Sequence, residues 1–200
     1  DLGASAVRLP IVAKSGAPAR PRVGPLHVLA VALSALALIG GLVGVAHAQE
    51  RHVLFLEASG IISPVTEGFV ARAVKRAEEE EATLLIIQLD TPGGLLDSTR
   101  TITQHLLGAG VPTAVFVAPR GARAASAGTF ITASATFAVM APGTNIGAAS
   151  PVGGSGEELP ETLKSKATND AAAEMRAIAA LRGRNEEKLE ATVLEALSFS

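Results

Sequence analysis

The chain has 200 residues, 48% of them hydrophobic but only 3% aromatic, with no cysteine and a formal net charge of −2. The lack of cysteine excludes disulfides, thiolate metal sites and cysteine nucleophiles, and the few aromatics leave aliphatic and alanine packing to fill the core. The first 49 residues hold Arg8, Lys14, Arg20 and Arg22 against Asp1 alone, so 50–200 carries 13 basic and 18 acidic residues, a balance that disfavours nucleic acid as a partner.

Residues 1–25 are rich in Pro, Gly, Ala and Arg without an apolar period, and read as a disordered leader. Residues 26–46 are apolar apart from His27 and Ser34, and the A-x-A signature Ala46-His47-Ala48 follows. The segment 26–48 reads as a secretory signal cleaved after Ala48. An uncleaved membrane anchor is the alternative, because the run approaches the ~20 residues that span a bilayer. Both readings place 49–200 outside the cytoplasm, in the periplasm of a Gram-negative cell.

Beyond this leader, 53–56 reads as a strand, and Gly60 and Pro64 break the chain. Residues 65–81 form an amphipathic helix with an expected apolar stripe of Val65, Phe69, Ala73 and Val74. The continuous apolar run 84–89 has the length and character of a parallel strand buried on both faces. Helical spacing returns over 95–107 through Leu95, Ile102 and Leu106. A second buried strand is expected at 113–117, a small-residue helix at 124–133, a short strand at 137–140 and a turn-rich stretch over 141–155. A long helix follows at 163–181, with Leu163, Ala167, Ala171, Met175 and Ile178 in step and Gly183 as its stop. Glu186 and Glu187 favour the first turn of another helix, and 195–200 reads as a helix stopped partway. Strands alternating with helices imply a parallel sheet with right-handed crossovers. The chain starts without Met, and a fragment at both ends is expected.

Two motifs carry chemistry. Ala125-Ser126-Ala127-Gly128-Thr129 places a hydroxyl among residues too small to block access, and Asp90-Thr91-Pro92-Gly93-Gly94 ends an apolar strand. A strand-end Gly-Gly and a serine on a small-residue turn can together supply a nucleophile and an oxyanion pocket. The serine then needs a proton acceptor. His27 and His47 lie in the leader, His52 begins the first strand, and His105 is on a helix that need not face Ser126. A neutral lysine amine is the alternative base. Lys14 is in the leader, and Lys75 and Lys188 lie among acids, leaving Lys164 and Lys166 at the start of the long helix. Spacing does not choose between these two, and Asp170, four residues beyond Lys166, would hold that lysine charged if it paired with it. Gly153-Gly154-Ser155-Gly156 lacks the strand–helix setting of a phosphate cradle, and no His/Asp/Glu cluster has metal-ligand spacing. No cofactor or metal is expected.

From about His52 onward the chain resembles the N-terminal protease domain of the NfeD membrane-bound ClpP-class serine proteases. The resemblance rests on several segments taken in order: Leu89-Asp90-Thr91-Pro92-Gly93-Gly94-Leu95, the run from Pro119 through Ser126 to Ile131, and the run from Met140 through Asn145 to Ala149. Lys166-Ala167-Thr168-Asn169-Asp170 and Arg182-Gly183-Arg184-Asn185 complete it. It implies an α/β ClpP/crotonase-like spiral, with a mostly parallel sheet flanked by helices, over 49–200 and truncated at its C-terminus. It further implies Ser126 as nucleophile, Lys166 as general base, and backbone N–H groups of Gly94, with Gly93 adjacent, and Ala127 as the oxyanion hole. The implied substrates are apolar peptide segments, including those of stomatin-like membrane proteins, and a homo-oligomer is expected by analogy. Two departures stand: Ser150 where the family has a histidine before proline, and no histidine near Thr136. Altered packing is expected there. Two other functions fit less of the chain: a non-catalytic module that binds a stomatin-like partner, and a crotonase-type acyl-CoA enzyme, whose oxyanion hole is also built from backbone N–H groups.

Overall fold

In the computed structural model the described residues are Gly24, 52–153 and 160–200. The leader elements expected over 1–48, and Gly154 to Gly156 of the glycine-rich loop, lie outside them. Among the described residues no helix is long and apolar enough to cross a membrane.

Four strands form one wholly parallel sheet in the order β1-β2-β3-β5: β1 (Val53–Ser59), β2 (Leu84–Asp90), β3 (Thr113–Val117) and β5 (Phe137–Met140). Each chain reversal between these strands runs through a helix, as parallel pairing requires. These helices are α1 (Pro64–Glu79), α2 (Leu96–Gly108) and α3 (Ala127–Ser134). A second, smaller sheet has β4 (Arg123–Ala125) parallel to β6 (Asn145–Gly147), with β7 (Ser198–Phe199) antiparallel on the far side of β6. Two further helices, α4 (Glu161–Leu181) and α5 (Glu186–Leu194), pack together. Asn185 caps α5 by accepting from the Lys188 N–H at 2.8 Å, the N-cap role that suits its short amide.

The aliphatic core expected from composition sits on one face of the parallel sheet. Leu85, Ile87, Leu89, Val115 and Val117 are buried there against Val70, Val74 and Ala77 of α1 and Ile102 and Leu106 of α2. A second cluster gathers Met175 and Ile178 of α4, Val193 of α5, and Phe130 and Ala133 of α3. The helix α3 is the seam between the two clusters. Its Ala127 and Ile131 belong to the first and its Phe130 and Ala133 to the second, so all eight of its residues are buried. A helix with apolar neighbours on every side needs no polar face, and the small side chains of AGTFITAS allow the close approach.

Three sequence expectations shift. The α1 stripe is rotated: Val65 and Phe69 are exposed, and Val70, Val74 and Ala77 face the core. Arg72 stacks over the Phe69 ring at 4.9 Å, so the ring finds its partner on the outside of the helix. Residues 124 and 125 belong to strand β4 instead of a helix, because pairing with β6 claims their backbone. The chain end is a turn and strand, not a helix stopped partway: the Ala148 N–H donates to the Leu197 carbonyl at 2.9 Å, and Phe199 pairs with Ile146.

The rotated stripe is testable by urea unfolding. Val74→Ala should cost about 2 kcal/mol through lost burial and the cavity left behind, whereas Phe69→Ala should cost less than about 1 kcal/mol.

Candidate active site

The two motifs meet through backbone hydrogen bonds at the C-terminal end of β2. Thr91 N–H donates to the Arg123 carbonyl at 2.7 Å, and Ala125 N–H donates to the Thr91 carbonyl at 3.1 Å. Asp90 Oδ1 accepts the Arg123 N–H at 3.0 Å. The loop after Thr91 is tied in turn to the segment before α1: Ile62 N–H donates to the Gly93 carbonyl and Leu95 N–H to the Ile62 carbonyl, both at 2.9 Å. This bridge is too close for any side chain at position 94, where an added Cβ would lie 2.1 Å from the Ile62 carbonyl oxygen. Gly93 has φ +122°, and a Cβ there would lie 2.8 Å from Ser126 Cβ. Both glycines are therefore required by the approach of three backbone segments.

Ser126 occupies the N-cap of α3 with φ 51° and ψ −114°, a conformation that costs a non-glycine residue on the order of 1–3 kcal/mol and persists only where its surroundings enforce it. The enforcing contacts are specific. Ser126 N–H donates to the Gly147 carbonyl at 2.9 Å, and its carbonyl accepts the Thr129 N–H at 2.9 Å. The buried Thr129 hydroxyl lies 3.0 Å from the Gly147 carbonyl and 3.1 Å from that of Ala124. The Ser126 hydroxyl makes no cap bond to its own helix and opens into a cleft of about 590 Å³.

Of the three expected oxyanion-hole residues, Gly94 and Ala127 keep their N–H groups without a hydrogen-bond partner among the described residues. The bridge to Ile62 uses the carbonyl of Gly93 and the N–H of Leu95, so the intervening Gly94 N–H points away from it. Ala127 is the first residue of α3, where an N–H has no partner within the helix and lies at the positive end of the helix dipole. Gly93 differs: its N–H donates to Thr91 Oγ1 at 3.0 Å, and Thr91 Oγ1 lies 3.1 Å from the Gly93 carbonyl. Gly93 thus shapes the loop, and Gly94 and Ala127 carry the open donors. All three residues and Ser126 line the cleft.

Among the described residues the remaining cleft wall is uncharged and mostly aliphatic. Ile61, Leu95 and Leu96 line it and are 67%, 52% and 45% exposed, and 148–153 lines it as well. Ser150, in place of the histidine of the resembled family, donates to the Val193 carbonyl at 2.6 Å and so ties this wall to α5. At the second departure Thr136 Oγ1 accepts the Thr113 N–H at 3.2 Å.

None of the candidate bases lines the cleft. His52 is at the N-terminal end of β1 beside Glu80, 3.4 Å away, and neither His52 nor His105 lines the cleft. Lys164 and Lys166 are exposed in the first turns of α4 and do not line it either, although Ala171 of the same helix does. Asp170 does not pair with Lys166. Together with Glu174 it binds Arg100 of α2, the Glu174 contact measuring 3.1 Å. Among the described residues no group of acids and histidines has the arrangement of a metal site.

Arg182 and Arg184 have a structural task that spacing did not reveal. Arg182 donates to the carbonyls of Ser134 and Leu106 at 2.7 and 2.8 Å, and Arg184 to those of Ala133 and Ala135 at 2.7 and 2.6 Å. They satisfy the C-terminal carbonyls of α3 and of α2, where cations also oppose the dipole. Burial, and then the neighbouring Arg182 charge, lower the Arg184 pKa from its ordinary value, yet a guanidinium stays a cation.

Comparisons place this geometry. The family model described as NfeD1b, N-terminal domain, matches residues 53–198. The membrane-bound protease PH1510 of Pyrococcus horikoshii is 36% identical over 153 residues, a match that covers 74% of this chain and 34% of that protein. The chain therefore spans about a third of the length of this curated relative. Two solved structures of the 1510-N membrane-bound stomatin-specific protease are each 34% identical with a TM-score of 0.69. One is a serine-to-alanine mutant, covering 75% of this chain and 73% of that one. The other is a lysine-to-alanine mutant in complex with a substrate peptide, covering 75% and 69%. ClpP1 from Listeria monocytogenes, at 17% identity, 82% and 87% coverage and a TM-score of 0.56, shares the fold. The architecture is accordingly α/β and ClpP-like.

Thr91→Val keeps the shape of this fully buried residue and removes both hydroxyl contacts to Gly93. It should destabilise the protein by about 1–3 kcal/mol, measured as a lower urea midpoint.

Proposed function

The chain belongs to the NfeD1b N-terminal domain family, and from that premise we propose that it is a serine endopeptidase that cleaves apolar peptide segments, such as those of stomatin-like membrane proteins. The observation that carries the proposal is the strained Ser126 beside two open backbone N–H groups in one uncharged cleft. The similar 1510-N protease, with its mutated serine and lysine and its bound substrate peptide, supports the reading.

In the proposed reaction a substrate strand lies along the cleft, in contact with Ile61, Leu95 and Leu96 and with 148–153. Ser126 Oγ attacks the scissile carbonyl carbon. The carbonyl oxygen becomes an oxyanion and accepts hydrogen bonds from the N–H groups of Gly94 and Ala127, donors already aimed before the charge develops. Lys166, as the neutral amine, takes the Ser126 proton and passes it to the leaving amine. Water then attacks the acyl-serine, its proton returning through Lys166. Hydrogen bonds between catalytic groups are often long in a substrate-free enzyme and tighten in the complex. The base role thus requires the first turns of α4 to close toward Ser126 when substrate fills the cleft. The Arg100 contacts leave Lys166 without a carboxylate partner among the described residues. We place the domain outside the cytoplasm and bound to the membrane, with 26–48 as its signal or anchor.

A second reading follows from the exposed position of Lys166: the same cleft binds a stomatin-like apolar segment without cutting it. Peptide turnover separates the two.

Ser126→Ala should abolish cleavage of an apolar stomatin-derived peptide while leaving the circular dichroism spectrum unchanged. Lys166→Arg puts a permanently charged guanidinium there, which cannot accept a proton at neutral pH, and should lower kcat about 10²–10⁴-fold. Wild-type turnover unchanged by both substitutions would remove the dyad, and peptide binding with no turnover in the wild type would leave the second reading.

A further inference from the structure

Thr91 is wholly buried, 0% exposed, and three parts of it hold three segments of the site. Its backbone pairs with β4: the Thr91 N–H donates to the Arg123 carbonyl, and the Thr91 carbonyl accepts the Ala125 N–H one residue before Ser126. Its methyl meets the first turn of α3, where a Cβ added to Gly128 would lie 2.7 Å from Thr91 Cγ2. Its hydroxyl binds Gly93, accepting that N–H at 3.0 Å and donating to the carbonyl of the same residue at 3.1 Å.

The Gly93 carbonyl and the Gly94 N–H belong to one planar trans peptide unit and point in opposite directions. Whatever orients the carbonyl therefore orients the N–H. Glycine on both sides removes the Cβ restraints that would otherwise narrow the choice of plane, and Gly93 already stands at φ +122°. The restraint has to come from hydrogen bonds. The Ile62 N–H holds the Gly93 carbonyl at 2.9 Å, but it grips one atom of the turn. The Thr91 hydroxyl grips both polar atoms of Gly93, and among the described residues these are its only hydrogen-bond partners.

We propose that Thr91 is a positioning residue of the site: its hydroxyl clamps the 93–94 peptide plane so that the Gly94 N–H faces the cleft beside Ser126. This rests on the endopeptidase reading, in which that N–H receives the oxyanion. The donor gains its charged partner only as the tetrahedral intermediate forms, so loss of the clamp falls on kcat and leaves KM. A valine methyl would stand where Oγ1 now lies 3.0 and 3.1 Å from the two Gly93 atoms. That is closer than the roughly 3.5 Å at which a carbon makes its best contact, so the methyl pushes the plane out of line. Removing a whole oxyanion donor costs about 10²–10³-fold in kcat, and a displaced one should cost less.

Two variants of the full chain separate the hydroxyl from the packing. Thr91→Ser keeps the hydroxyl and loses the methyl on Gly128, and Thr91→Val does the reverse. For an apolar stomatin-derived peptide, Thr91→Val should lower kcat about 10–100-fold with KM changed by less than about threefold. Thr91→Ser should keep kcat within about threefold of the wild type. Urea midpoints set conditions in which both variants are folded. A threonine kept for packing alone would lose more from serine than from valine. Wild-type kcat in Thr91→Val, an effect carried by KM alone, or a loss in Thr91→Ser equal to that in Thr91→Val overturns the proposal.

A crystal structure of Thr91→Val gives a readout that does not need turnover. The Gly94 N–H should be turned from the cleft, or its peptide plane present in two orientations, and an unchanged plane overturns the clamp. A wild type that cuts no peptide removes the endopeptidase reading, and the orientation of the plane then decides the clamp by itself.

Discussion

The conformation of Ser126 is the constraint on which the site depends. With φ 51° and ψ −114°, this residue would relax if its neighbours allowed it. It does not, because four chain segments converge on it: the Thr91–Gly94 loop, strand β4, the Gly147 carbonyl at the end of β6, and the first turn of α3. Each supplies one or two hydrogen bonds to another, each worth about 1 kcal/mol net. Together they offset the cost of the strained backbone, and the strain turns the hydroxyl away from its own helix and into the cleft.

That convergence depends on the packing of α3. A short helix of small residues, buried on every side, has no solvent to satisfy its ends. Its C-terminal carbonyls are met by Arg182 and Arg184. At its N-terminus the Ala127 N–H stays open toward the cleft. The asymmetry matters: cations neutralise one pole of the helix, and the other pole is left available for a negative charge. The two hydrophobic clusters on either side of α3 fix its axis, and so fix where Ser126 and Ala127 point. The last strand contributes from a distance. By pairing with β6 it holds the segment whose Gly147 carbonyl receives both the Ser126 N–H and the Thr129 hydroxyl.

Electrostatics joins α2 and α4. Arg100 gathers Asp170 and Glu174 at the junction of α2 and α4, and its own pKa is raised by those carboxylates, the Glu174 hydrogen bond foremost. The i, i+4 spacing of Lys166 and Asp170 suggested a local pair. The Arg100 guanidinium, from another element, bonds Asp170 and Glu174 through one nitrogen each, a task its planar fork suits better than a flexible lysine side chain does. Among the described residues that line the cleft none is ionisable, which suits an apolar peptide.

Much of the architecture was legible in the chain itself. Strands β3 and β5 fall where the apolar runs place them, and β2 differs by one residue, because short aliphatic runs between turn residues have few other stable states. Gly93, Gly94 and Ser126 stood out as motifs because only small residues tolerate such close approach. Three features needed the tertiary structure. The face of α1 that turns inward depends on where the sheet lies, and Val65 and Phe69 satisfy the same period as Val70 and Val74. The strand identity of 123–125 and 198–199 depends on pairing with β6, which local propensity does not encode. The division of labour between Gly93 and Gly94 depends on which N–H is taken by Thr91 and which is passed over by the bridge to Ile62. Sequence alone determined which residues are small, apolar or nucleophilic; the direction in which each backbone group points was decided only when distant segments came into hydrogen-bonding range.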